Sequence, residues 1–200
     1  MRRRSEPKTT TAAVVAVHKG ETMTMRYVTT AAVALLATVS FAAQAHGPSR
    51  QKVSEQVEIN APADKVWAVV GNFQDGSWIP VVEKTEGKGG NEVKATRTLT
   101  LKGGATVEEE LAKYDAAKKT FMYRINKVDV KTLPVNDYSS TIEVEDEGGK
   151  TKVTWKGAFY RGYMNNDPPP ELNDEASKKA VLGLYRASLD NLKAKVEKGS

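Results

Sequence analysis

Ala95-Thr96-Arg97-Thr98-Leu99-Thr100-Leu101 is followed by Lys102-Gly103-Gly104 and then by Ala105-Thr106-Val107-Glu108-Glu109-Glu110-Leu111. Both flanks alternate with period two, the pattern of strands that bury one face. A three-residue loop opposes Leu101 to Ala105, Leu99 to Val107, Arg97 to Glu109 and Ala95 to Leu111, so both apolar sets face one way. A two-residue Gly-Gly loop would slip the register by one and set Leu99 against Glu108, splitting the faces. The longer loop is therefore expected, with Gly104 in the left-handed conformation that glycine adopts freely. It places Arg97 and Glu109 opposite each other on the inner face. Of the three consecutive glutamates only Glu109 shares that face, so they form no metal cluster.

Outward from this hairpin the same period marks strands over 81–88, 92–101, 105–114, 120–130, 138–145 and 150–160. Gly89-Gly90, residues 115–119, Pro134 and Gly148-Gly149 punctuate them. The short connections make the sheet antiparallel. Upstream, 52–59 reads as a first strand. Pro62, at the first helical position, and Asp64 open a helix whose apolar side is Val66, Trp67, Val69, Val70 and Phe73. Gly71 and Gly76 break it, and Trp78-Ile79-Pro80 sits on a short second helix or turn. Downstream, Pro168-Pro169-Pro170 leads to a long helix that Asn173 can cap. Val181, Tyr185, Leu189, Leu192 and Val196 line one face of it at helical spacing. The expected fold is α+β: a curved antiparallel sheet of about seven strands wrapped around a long C-terminal helix, with two short helices after the first strand. A pocket is expected between sheet and helix.

Residues 1–45 read differently. An apolar run from Val28 to Phe41 follows Arg26 and ends at Ala43-Gln44-Ala45, the kind of site a signal peptidase cuts. Cleavage after Ala45 is expected, which leaves one domain over 46–200, exported to a periplasm and not inserted in the membrane. The long stretch before the run makes Met23 or Met25 a candidate start. The chain has 200 residues and a formal charge of +5. Arg2, Arg3, Arg4, Lys8, Lys19 and Arg26 all lie in the leader, so the remaining chain is almost balanced and offers no basic face to nucleic acid. With no cysteine and only His18 and His46, disulfides, thiolate sites and multi-histidine metal centres are excluded. A copper site at His46, the expected mature N-terminus, would lack a second histidine.

Candidate binding residues follow from the inward phases. Arg97 and Glu109 must pair or line a wet pocket, because an unpaired buried charge is costly. Either Arg97 holds a ligand's carboxylate or phosphate by its fork, or the two form a structural ion pair. Tyr123, Tyr138, Trp155 and Phe159 point inward, and the two tyrosine hydroxyls need partners. Trp78 stands where it could gate the mouth or simply pack. No nucleophile–histidine pair exists, so catalysis would have to use Glu109 or a tyrosine. A binding protein is expected before an enzyme.

Three phrases carry a family resemblance. Residues 59–67, Ile-Asn-Ala-Pro-Ala-Asp-Lys-Val-Trp, resemble the opening of the START/Bet v 1-like superfamily, also called SRPBCC. Gly71-Asn72-Phe73 through Trp78-Ile79-Pro80 resembles its second-helix phrase, with Ile79 where relatives often carry histidine. Residues 157–163 and 165–176 resemble the periplasmic MxaD-like branch encoded with methanol oxidation genes. The resemblance implies a helix-grip fold with a hydrophobic cavity and no cofactor. It further implies an accessory role in methanol oxidation, with methanol dehydrogenase or its cytochrome as partner and a hydrophobic small molecule as ligand. A polyketide cyclase/dehydratase-like enzyme is the alternative.

Overall fold

The hairpin around Gly103-Gly104 takes the expected register. Arg97 opposes Glu109 and Leu99 opposes Val107. The Leu101 N–H donates to Ala105 O at 2.8 Å, and the Leu111 N–H to Ala95 O at 2.8 Å. Gly103 and Gly104 have φ of 98° and 87°, so the loop uses glycine twice where the sequence pointed to Gly104 alone. The computed structural model describes residues 47–198. The expected leader, the cut after Ala45, the starts at Met23 or Met25 and His46 lie outside the described residues.

The elements run β1 (Gln51–Ile59), α1 (Ala63–Val70), β2 (Val82–Lys88), β3 (Thr96–Leu101), β4 (Thr106–Asp115), β5 (Thr120–Val128), β6 (Val135–Asp146), β7 (Thr151–Arg161) and α2 (Asp174–Lys198). They build one antiparallel sheet in the order β1-β7-β6-β5-β4-β3-β2. Its inner face packs on α2. β1 and β2 lie at opposite edges, so α1 and the residues after it carry the chain across.

Several elements differ from expectation for local reasons. The expected second short helix is a run of turns: the side chains of Asn72 and Asp75 accept from the N–H groups of Gln74 (3.0 Å) and Ser77 (2.8 Å), which diverts donors a helix would use. Pro62 is the residue before α1 rather than its first turn. β3 starts at Thr96 because residues 92–95 turn, with Lys94 at φ 74°. Asn173 caps α2 as expected, its Oδ1 accepting from the Ala176 N–H at 2.8 Å.

Two irregularities between β4 and β5 curve the sheet and reset its phase. The β4–β5 register shifts between Glu108 and Glu109, so Val107 faces Val128 while Glu109 faces Ile125. A second shift between Leu111 and Lys113 pairs Tyr114 with Phe121. Each bulge returns an apolar residue to the inner face and increases local bend. The connector before α2 is braced by buried Arg161. Its Nε donates to Tyr163 O (2.8 Å) and its Nη2 to Asn165 O (2.9 Å), while Asn136 Nδ2 donates to Arg161 O and Gly162 O (2.9 Å each).

Candidate functional site

α2 presents two stripes to the sheet. Val181, Tyr185, Ser188, Leu189, Leu192 and Val196 are buried against it. Beside them run Ala180, Gly183, Leu184 and Ala187, mostly small and spaced i, i+3, i+4, i+7. Here helix and sheet do not meet. They enclose a cavity of about 440 Å³, walled by Val82, Leu99, Leu101, Val107, Ile125 and Leu133 from the sheet side and by Ile79 from the crossing segment. Val81, Lys102 and Thr132 also line it, and Val81 is an exposed large apolar residue. Most of the wall is apolar, as ligand cavities generally are.

Its polar groups are few. Glu109, Tyr123 and Tyr138 reach the cavity from β4, β5 and β6, and Trp155 reaches it from β7. Glu109 is 4% exposed and Arg97 2%, and Arg97 Nε donates to Glu109 Oε2 at 2.6 Å. Arg97 is held from behind. Its Nη1 donates to Phe73 O at 2.7 Å, and its guanidinium lies 4.4 Å from the Phe73 ring centre and 5.5 Å from that of Tyr123. The guanidinium is thus committed to the protein and does not line the cavity. Burial raises the Glu109 carboxyl above its ordinary range, and Arg97 acts against that rise.

The tyrosines belong to a hydrogen-bond chain whose direction can be derived. Ser140 Oγ lies 2.8 Å from Lys156 O, 2.6 Å from Trp155 Nε1 and 2.9 Å from the Tyr185 hydroxyl, which is 2.5 Å from that of Tyr138. A carbonyl only accepts and an indole N–H only donates. Ser140 therefore gives its single hydrogen to Lys156 O and accepts from Trp155 and Tyr185. Tyr185 has then spent its hydrogen and accepts from Tyr138. Burial pushes the Tyr138 and Tyr185 phenols well above their ordinary range. It raises Tyr123 too, where the nearby Glu109 charge adds to the effect. The Tyr185 hydroxyl also stands where a side chain on Gly157 would be, with Cζ 3.2 Å from that position.

Of the residues singled out from sequence, Glu109, Tyr123, Tyr138 and Trp155 line the cavity. Arg97, Phe159 and Trp78 do not, which corrects their expected place in a binding site. Arg97 stands behind Glu109, Phe159 stacks on Tyr138 (centroids 6.0 Å apart, 19° between planes), and Trp78 packs on Trp155 at 5.1 Å. Trp78 is 1% exposed, and its carbonyl accepts from Asn191 Nδ2 at 2.9 Å, so it packs rather than gates. The helix side of the cavity was missed. Its signal was the gap in bulk at Ala180, Gly183 and Ala187 beside the apolar stripe.

A curved antiparallel sheet gripping a C-terminal helix around an apolar cavity is the helix-grip architecture of the SRPBCC, Bet v 1-like proteins. The chain belongs to the family described as polyketide cyclase/dehydrase and lipid transport, whose match covers residues 50–197. Among solved structures it is similar to the protein XoxI from Bacillus cereus, with 26% identity, TM-score 0.62, and 72% of this chain and 94% of that one covered. It also resembles an aromatase/cyclase, Zhui, from a Streptomyces species (17% identity, TM-score 0.59, 75% and 95% covered). Norcoclaurine synthase from Thalictrum flavum is a third (18% identity, TM-score 0.57, 75% and 88% covered). The last two likenesses establish the fold alone. A search of curated proteins returns no match.

Proposed function

We propose that this protein binds an apolar small molecule in the cavity between sheet and α2, as an exported accessory protein that works by binding rather than turnover. The observation that carries the reading is the cavity itself: about 440 Å³ of largely apolar space, where Glu109 and two tyrosines converge and Lys102 and Thr132 are the other polar side chains of the wall besides Trp155. The wall holds neither a histidine nor a serine beside a base. The place of this binding in methanol oxidation, beside methanol dehydrogenase or its cytochrome, is supported by the phrases at 157–163 and 165–176. Export is supported by the run that ends at Ala45. Native mass spectrometry of the protein from its own periplasm tests binding, and a retained apolar molecule is the expected result. Growth of a deletion strain on methanol tests the pathway. A normal rate of methanol oxidation overturns it.

A second reading, a cyclase-like catalyst, is favoured by one observation. Glu109 reaches an apolar cavity with its carboxyl raised by burial, which is how proton-transferring carboxylates are commonly tuned. Turnover of a polyketide-like substrate that is lost in Glu109→Gln would establish it.

A further inference from the structure

Resting on that binding reading, we infer that the cavity selects a neutral, largely apolar molecule that carries a hydroxyl, and that Glu109 is the group that reads it. The Arg97–Glu109 pair is directional. The carboxylate reaches the cavity, while the guanidinium lies outside the lining, its Nε bonded to Glu109 Oε2 and its Nη1 to Phe73 O between two aromatic rings. At Glu109 the cavity therefore meets an acceptor; the cation that lines it, Lys102, is exposed in the turn after β3. A carboxylate or phosphate placed against Glu109 would be left unpaired there, which is costly in an apolar site.

A cation is excluded by the same accounting. Arg97 already neutralises Glu109, so an ammonium would bring a second positive charge to a largely apolar wall without a second negative one. Tyr138 adds another acceptor, because its hydrogen is spent on Tyr185 and only oxygen lone pairs remain. Tyr123 lines the same wall, its ring centre 6.2 Å from that of Tyr138. A ligand hydroxyl fits this set, because it can donate to Glu109. The rest of the molecule meets Leu99, Val107, Ile125, Leu133, Leu184 and Trp155.

Naphthalene, 2-naphthol and 2-naphthoate share one apolar body and differ only in the group under test. Calorimetric titration of each into the full chain at neutral pH is expected to rank 2-naphthol first, about tenfold or more above naphthalene, because a hydrogen bond to a charged acceptor is strong when desolvated. The carboxylate is expected last. Glu109→Gln should remove most of the advantage of 2-naphthol while naphthalene binding is kept. Gly183→Leu, which fills the mouth without touching Glu109, should weaken all bound probes alike. Equal affinity for 2-naphthol and naphthalene overturns the inference and leaves the cavity reading standing. Tightest binding of 2-naphthoate overturns it in favour of a cation, Lys102 at the lining or Arg97 behind Glu109. If no probe binds, the cavity reading itself fails and the inference falls with it. The ranking on the unmodified chain decides the matter even where Glu109→Gln does not fold.

Discussion

The two stripes of α2 meet the same sheet with opposite results. Along Val181, Tyr185, Leu189 and Leu192 every side chain is fully buried and Tyr185 is tied into the Tyr138–Ser140–Trp155 chain. Along Ala180, Gly183, Leu184 and Ala187, one position round the helix, the surfaces part and a cavity remains. Large side chains with satisfied polar groups build stability, and small ones leave room. The fold thus keeps its packing on one stripe and its cavity on the other. Glu109 stands on the cavity wall, and its charged partner, Arg97, lies outside the lining.

The sharpest break in this comparison comes at that wall. Glu109→Ala strands Arg97 as an unpaired charge that is 2% exposed, and should cost about 3–5 kcal/mol. Glu108 and Glu110 are only half-buried, and their replacement by Ala should cost well under ~1 kcal/mol, since surface pairs such as Glu108–Lys127 at 3.4 Å contribute little. Urea denaturation of the three variants measures the contrast. Equal losses would show that the pair does not bear on stability.

The register behind that prediction was legible in the sequence. A three-residue glycine loop and strict alternation leave one arrangement in which both apolar sets face inward, and it puts Arg97 opposite Glu109. The cap at Asn173 and the buried stripe of α2 were legible for similar reasons, because each depends on neighbours within one or two turns. The orientation of the charged pair was not legible. It depends on the carbonyl of Phe73, which arrives from a distant segment that folds as turns through Asn72 and Asp75. The β4–β5 bulges were also hidden, since period two predicts no phase change near residue 108 or 112. The cavity was expected in general but not placed, because its helix wall is defined by what Ala180, Gly183 and Ala187 lack.

On the packed stripe, Leu192→Ala should cost about 2–5 kcal/mol, because Leu192 is 0% exposed and its neighbours cannot collapse freely. Tyr185→Phe is subtler. It keeps the ring stacked on Trp155, whose centroid is 4.2 Å away, but removes the acceptor for Tyr138 and the donor to Ser140. A loss of about 1–3 kcal/mol is expected. If Tyr185→Phe is neutral, the hydroxyl chain contributes shape and not stability.

The same chain predicts an alkaline limit. Burial holds the Tyr123, Tyr138 and Tyr185 phenols above their ordinary value near 10 in the folded protein. The unfolded chain ionises at that value, so above it the folded state binds more protons than the unfolded one. Stability is therefore fully present below pH ~10 and falls as pH rises further, by up to about 1.4 kcal/mol per pH unit for each such phenol. Denaturation midpoints measured from pH 8 to 11.5, with phenolate absorbance followed in parallel, should show these three tyrosines ionising only as the protein unfolds. Ionisation of all tyrosines before any loss of structure would contradict the buried chain.

The smallest effect is expected on the open stripe, and its sign is the informative part. Gly183 has helical backbone, and a Cβ built on it meets nothing within 4 Å. Gly183→Ala therefore adds no clash and removes the backbone freedom that makes glycine a poor helix residue, so it should stabilise the fold by up to about 1 kcal/mol. A packed stripe cannot respond this way, because added volume there forces neighbours aside. The gain should appear as a higher melting temperature with little change in naphthol binding, since one methyl group takes little of the cavity. A destabilised Gly183→Ala would mean that the space beside α2 closes in solution. Helix and sheet would then meet along both stripes.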